Sequence, residues 1–316
     1  MRRLLTIVSD QSLPNFIAVN EERTRPEALH VLYTPTASRM VERWRLLRGV
    51  LQARFPGLEL HEHPVDNAYD MATLRTECTR LLDSASDAEW EINVTCGTKI
   101  TSLCLGALCT ERGLPALYVE TPGRRTLRMR PDRGWMLEEL PHTERVDLQT
   151  YFEIYGRRVT CGKPRSGQEK AVFDQLGKLD WGVWSSVELW AGQEKLAEYD
   201  AVAIDGYQVS FFECKRMLKE KKGAGVKRPK PEARRRKQNV RLDLLKLYQV
   251  REAFGGPFGR SYWVLSGGYE LSEVDEQRIA SFGIRLIRSG EIQQLSRDPG
   301  RFNLPPRRGG RPTRLD

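Results

Sequence analysis

The chain has 316 residues, 29% of them charged and 40% hydrophobic, with a formal net charge of +9. That length predicts two domains, each able to bury a core, and no apolar stretch approaches the length of a membrane span. Six cysteines (Cys78, Cys96, Cys104, Cys109, Cys161 and Cys214) are scattered without a Cys-x-x-Cys pair, which argues against zinc and for reduced thiols in a cytoplasmic protein.

The N-terminal apolar run, Leu4–Val8, is too short for a signal peptide and reads as a strand. Further strands are predicted at Leu29–Tyr33, Leu58–His63, Glu91–Thr95 and Ala116–Glu120. Between them lie helices at Ser38–Phe55, Tyr69–Leu82 and Thr98–Arg112, the first stopped by Pro56-Gly57 and the last by Gly113. This β-α-β alternation predicts a mostly parallel, Rossmann-like sheet with helices on both faces. Leu127–Arg130 and Trp135–Leu140 read as an appended hairpin, and residues 146–165 as a linker containing Gly156, Gly162 and Pro164. A helix at Gly167–Leu179 opens the second half. Strands Tyr199–Ile204 and Gln208–Lys215 follow, joined by Asp205-Gly206, a tight-hairpin signal. Next come a helix over Val240–Phe254, a strand at Ser261–Leu265, a helix at Glu273–Phe282 and a strand at Ile284–Ile287. From Arg301 the composition is that of a disordered basic tail.

In the first half, polar turns follow three of the strands. They hold Gln11, Ser12, Leu13, Pro14 and Asn15; then Thr34 and Thr36; then Thr95, Gly97, Thr98 and Lys99. Ligands of open α/β sheets bind beyond the carboxyl ends of the strands. The turn Thr95-Cys-Gly-Thr-Lys99 offers hydroxyls, backbone N–H groups at a helix start and one cation, which suits phosphate or a nucleotide. Helix capping by Thr95 and Thr98 around a glycine turn accounts for the same letters.

In the second half the hairpin carries the chemistry. Glu213 and Lys215 share one strand face, as do Glu198 and Asp200 on the neighbouring strand. Carboxylates and a lysine across a hairpin suit metal-dependent phosphodiester hydrolysis, the acids holding a hard cation and the lysine serving the attacking water or the phosphate charge. Phe211-Phe212 just ahead implies that the strand is buried and that its polar face needs a reason. Asp205 reads as a turn former, and His30, His61, His63 and His142 receive no role.

The charge is localised. Between Lys215 and Arg241 thirteen lysines and arginines face two glutamates, so this segment carries +11 and the rest of the chain −2. Lys219, Lys221, Lys222, Lys227, Arg228, Arg234, Arg235, Arg236 and Lys237, set among Gly223, Gly225, Pro229 and Pro231, read as a phosphate-gripping loop.

The sequence Asp200, a gap, then Glu213-Cys214-Lys215 resembles the PD-(D/E)xK nuclease superfamily. The turns Leu13-Pro14-Asn15 and Thr95–Lys99 resemble those of CARF domains, with Cys96 where a glycine is common. Together the halves resemble the ancillary nucleases of type III CRISPR systems over about residues 1–290. That resemblance implies a CARF domain (1–145), a linker (146–165), a restriction-endonuclease-like α/β domain (166–300) and a tail (301–316). It implies a homodimer activated by a cyclic oligoadenylate, cyclic tetra-adenylate by symmetry, bound by Gln11 to Asn15, Thr34, Thr36, Thr95 and Gly97 to Lys99. It further implies Mg2+ or Mn2+ on Glu169, Asp200 and Glu213, with Lys215 catalytic and Glu198 auxiliary, and DNA or RNA as substrate. Three alternatives stand beside it: a non-catalytic CARF-controlled nucleic-acid regulator, a repair or restriction-type nuclease needing no ligand, and a ring nuclease that degrades its activator.

Overall fold

The computed structural model describes residues 1–120, 125–130, 136–216, 242–255, 259–266 and 271–304. The nine residues read as a phosphate-gripping loop, from Lys219 to Lys237, lie outside them, as do residues 305–316. The chain divides into two compact units, Met1–Gly156 and Arg157–Asp316. Among the described residues no helix is long and apolar enough to cross a membrane.

The first unit runs β1 (Arg2–Ile7), α1 (Leu13–Asn20), β2 (Ala28–Tyr33), α2 (Ser38–Arg54), β3 (Glu59–Pro64), α3 (Met71–Asp83), β4 (Glu89–Asn93), α4 (Lys99–Arg112), β5 (Ala116–Glu120), β6 (Arg125–Arg130), β7 (Met136–Pro141) and α5 (Leu148–Glu153). Its sheet has the order β3-β2-β1-β4-β5-β6-β7. The first five strands are parallel, and β6 and β7 extend the sheet antiparallel. Strand order reverses between β1 and β4, and a doubly wound sheet opens its ligand crevice at that switch point. Side chains alternate along each strand. Leu5, Ile7, Leu32 and Ile92 pack with α3 and α4 residues in one cluster, while Leu4, Leu29 and Val31, of opposite parity, are equally buried.

α1 stands where the sequence predicts only a polar turn. All eight of its residues are buried, so it shows no apolar-polar periodicity for a reader to detect. α5 lies within the segment read as a linker. α4 ends on Gly113 in the left-handed conformation, as its sequence predicts.

The second unit holds β8 (Arg158–Thr160), α6 (Gly167–Leu176), β9 (Gly182–Ala191), β10 (Glu194–Asp205), β11 (Gln208–Arg216), α7 (242–250), β12 (Gly259–Ser266), α8 (Glu273–Ser281) and β13 (Ile284–Arg288). Its sheet order is β13-β12-β11-β10-β9-β8. The strands from β8 to β11 are antiparallel and those from β11 to β13 parallel. β9 is absent from the sequence expectation. Ser185, Ser186 and Glu188 dilute its apolar pattern, and Ser186 sits at φ 45°, breaking the alternation. The hairpin turn is Gly206-Tyr207, one residue later than expected. Gly206 takes the positive φ of 61°, and Asp205 closes the ladder opposite Gln208. α6 packs Val172 and Leu176 against Ala201, Ala203, Phe212, Tyr262 and Val264. Phe302 and Leu304, placed by sequence in the tail, are buried in this same core.

His30, His61 and His63 meet on β2 and β3. His30 Nδ1 and His63 Nε2 are 3.0 Å apart, with the ring planes 5° from parallel and the centroids 5.2 Å apart. So large a centroid separation at that N···N distance sets the rings end to end, an imidazole–imidazole hydrogen bond. Burial, with His61, His63 and Arg3 nearby, pushes the His30 pKa down to about 3. In the unfolded chain it titrates near 6.5. Between those values only the unfolded chain takes up this proton, so His30 removes folded-state stability as pH falls below about 6.5. A histidine NMR titration should show His30 still neutral at pH 5; a midpoint near 6.5 would contradict the packing.

Candidate nuclease centre and ligand crevice

The ladder between β10 and β11 runs from Asp205–Gln208 to Ala201–Phe212. Phe211 and Phe212 are fully buried, which anchors the strand and carries Glu213 and Lys215 along with it. At the next position the ladder gives way to a side-chain contact: the Cys214 N–H donates to Asp200 Oδ2 at 2.6 Å. Lys215 Nζ lies 2.6 Å from Glu213 Oε1 and 3.3 Å from Asp243 Oδ2. Asp243 stands on α7, carries no motif letter and was not anticipated. Glu169, on the first turn of α6, is 9% exposed.

The charges are out of balance. Burial pushes the Asp200 carboxyl up to about 6; the Cys214 N–H and Lys215 pull it down, and Glu169 and Glu198 push it up. Burial and then Asp200 push Glu213 up to about 7, outweighing the pull of Lys215. Burial opposes the charge on Lys215, yet Glu213 and Asp243 outweigh it and raise its pKa. The centre therefore favours a lysine cation and resists full ionisation of its carboxyls, an arrangement that a further cation would relieve.

Each acid is meanwhile held by a local partner. Glu169 Oε2 accepts the Arg165 N–H at 2.7 Å, and the Ser166 hydroxyl caps the helix by accepting the Glu169 N–H at 3.2 Å. This is close to a capping box, a helix-start role that needs no metal. Glu198 pairs with Lys195 at 2.5 Å and with Arg165. Among the described residues, no three His, Cys, Asp or Glu side chains converge into a ready metal site. The donor set nonetheless fits a hard cation: buried carboxylates whose charge is incompletely compensated.

In the first unit the switch point brings the ends of β1 and β4 together. Asn15 ties them: its Nδ2 donates to Ile7 O at 3.0 Å, and its Oδ1 accepts from Thr6 and Asn93 at 2.6 and 3.0 Å. Asn15, Leu13 and Pro14 are buried in α1, so they hold this end of the sheet together rather than face solvent. Ser12 is buried too, with no hydrogen-bond partner for its hydroxyl. The Thr95 hydroxyl accepts the Val119 N–H at 2.8 Å, joining β4 to β5, whereas Thr98 caps α4. The capping reading thus holds for Thr98 and fails for Thr95. Gly97 has φ 93°, and a Cβ there would meet Ile7 Cγ2 at 2.9 Å. Gln11, Thr36, Gly97 and Lys99 are exposed, and Thr34 is half-buried. Asp10 and Arg39, 2.7 Å apart, lie close in sequence to Gln11 and Thr36.

Residues 4–151 match the family described as the Card1 CARF domain. No curated protein matches the chain in sequence. Among solved structures, protein VC1899 from Vibrio cholerae aligns with a TM-score of 0.70 and 13% identity, covering 95% of this chain and 97% of that one. Can2 from Sulfobacillus thermosulfidooxidans, in complex with cyclic tetra-adenylate, aligns with a TM-score of 0.69 and 18% identity, covering 95% and 99%. A type III CRISPR defence DNA nuclease activated by cyclic oligoadenylate gives 0.58 and 17% identity, with 94% of this chain matching 52% of that one. At these identities the likeness is one of fold: an N-terminal CARF domain and a second α/β domain, as in Can2.

The raised carboxyl pKa values carry a stability signature. In the unfolded chain Asp200 and Glu213 titrate near 4. Their contribution is therefore fully present below about pH 4 and is lost as pH rises through 6 to 7. Glu213→Gln should raise the thermal midpoint of the second unit by a few degrees at pH 8 and change it little at pH 4.5. Equal destabilisation at both pH values, read by differential scanning calorimetry, would contradict the charge imbalance.

Proposed function

Starting from a chain whose residues 4–151 form a CARF domain, we propose that the protein is a cyclic oligoadenylate-controlled, metal-dependent nuclease of type III CRISPR defence. The observation that carries this reading is the buried, under-compensated carboxyl pair Asp200–Glu213 with Lys215 in the second unit. Buried charge of one sign is costly unless it is paired, and groups perturbed in this way cluster at functional sites. The fold likeness to Can2, solved with cyclic tetra-adenylate, supports the same ligand here.

The ligand's phosphates and riboses would meet the exposed groups at the mouth of the crevice. Lys99 would supply the cation and the α4 N-terminus its N–H groups, while Gly97 makes the turn between them, with a positive φ and no room for a Cβ against Ile7 and Thr101. Gln11, Ser12, Thr34 and Thr36 line the same end of the sheet. Two copies of the chain sharing one four-fold ring is the assembly that ligand symmetry favours.

In the second unit Asp200 and Glu213 would hold Mg2+ or Mn2+, with Glu169 joining once its carboxylate leaves the Arg165 N–H. A bound divalent cation supplies an activated water and charge stabilisation at the scissile phosphate. Lys215, kept protonated by Glu213 and Asp243, neutralises charge developing on the phosphate oxygens. Asp200 is fixed in orientation by the Cys214 N–H. The basic residues between Lys219 and Lys237 would hold the nucleic-acid backbone, with affinity falling steeply in salt.

Labelled single-stranded DNA, single-stranded RNA and plasmid, each incubated with and without cyclic tetra-adenylate and with Mn2+, Mg2+ or chelator, test the reading. Cleavage should need both ligand and metal. Glu213→Gln, Asp200→Asn and Lys215→Ala should each reduce it at least about a hundredfold while the protein stays folded. Robust metal-dependent cutting by folded Glu213→Gln would overturn the assignment. Lys99→Ala should weaken ligand binding in calorimetry about tenfold or more; unchanged affinity would remove Lys99 from the crevice.

A further inference from the structure

Beside the carboxyl pair, Arg165 joins the segment ahead of α6 to β9 and β10. Its guanidinium contacts Glu198 and lies 3.9 Å from Glu188, yet its side chain is 62% exposed. Lys195 holds the same two acids, at 2.6 Å from Glu188 and 2.5 Å from Glu198. Glu198 thus answers to two cations.

The Arg165 contact is not needed to fasten the segment. Gly162 N–H donates to Ser185 O at 3.0 Å, and the Ser185 hydroxyl returns a 2.7 Å bond to Gly162 O. The Ser186 hydroxyl donates to Lys163 O at 2.8 Å. The Arg165 N–H holds Glu169 whatever its side chain does. An exposed ion pair adds little to such a strap.

A guanidinium donates to a carboxylate or a phosphate with the same two-pronged geometry. If a phosphate took Arg165, Glu198 would keep Lys195 and lose little. We propose that Arg165 is a substrate-phosphate contact next to the nuclease centre, and that Glu198 occupies its guanidinium in the free protein where a nucleic-acid phosphate sits in the complex. The proposal rests on the nucleic-acid reading above and deepens it. Glu198 then acts as an internal competitor of substrate, in place of the auxiliary role expected from sequence.

The test measures fluorescence anisotropy of labelled single-stranded DNA and RNA on the full-length protein in chelator, so that no cleavage intervenes, at several salt concentrations. Arg165→Ala should weaken binding about three- to tenfold and lower the salt slope by about 0.7, the value for one phosphate contact on a single strand. Glu198→Gln should tighten binding about two- to fivefold, and the double variant should lose that gain. Unchanged affinity in Glu198→Gln overturns the proposal, as does a gain that persists without Arg165, since that gain is generic charge removal. If Arg165→Ala unfolds, Arg165→Lys, which keeps the charge and loses the fork, should still weaken binding; wild-type affinity there also overturns it. Wild type that binds neither nucleic acid, with cyclic tetra-adenylate present and with Ca2+ in place of chelator, removes this proposal; the nuclease reading falls with it only if the cleavage assay with activator and Mn2+ or Mg2+ is also negative. Binding insensitive to Arg165 and Glu198, alongside ligand-dependent cleavage, removes this one alone.

Discussion

The burial of Asp200 and Glu213 beside Lys215 is the constraint on which the second unit turns. A carboxylate removed from water must find compensation or remain protonated. Among the described residues, one N–H and one lysine face two acids, with Glu169 and Asp243 adding negative charge. The surrounding sheet makes this possible. Phe211 and Phe212, both fully buried, fix β11 in the core, so its polar end cannot turn out to water without unseating them. Stability given up at such a spot is a mark of sites shaped by chemistry rather than packing.

The first unit shows the opposite economy. Asn15, which looks like a ligand group in sequence, is used up in clamping β1, α1 and β4. Thr95 is likewise used in joining β4 to β5. Gln11, Thr36, Gly97 and Lys99 are exposed at this end of the sheet, on a floor held by hydrogen bonds; under the proposed function they form the crevice mouth, with Lys99 as its cation. A pre-organised floor with few adaptable contacts above it is how open α/β sheets present a ligand site.

Much of this was legible in the chain. The parallel core of the first sheet follows from strands and helices whose periods and stop signals are unambiguous, such as α4 closing on Gly113. The Glu213-Cys214-Lys215 strand and its hairpin follow from alternation and the glycine turn. What stayed hidden did so for physical reasons. α1 is buried all round and has no polar face. β9 carries two serines and a left-handed Ser186 that break the strand period. Asp243 and Arg165 act through tertiary neighbours, which no local spacing encodes. Glu169 proved to have a helix-capping partner in the backbone of Arg165, a competing use of the same letter.

The account stands or falls on whether the carboxyl pair is a cation site. Calorimetric titration of Mn2+ into the wild-type chain and into folded Asp200→Asn and Glu213→Gln tests that directly. The charge imbalance predicts a binding isotherm for the wild type that either substitution abolishes. Equal Mn2+ binding by all three proteins, or none by the wild type with nucleic acid and activator present, would contradict it.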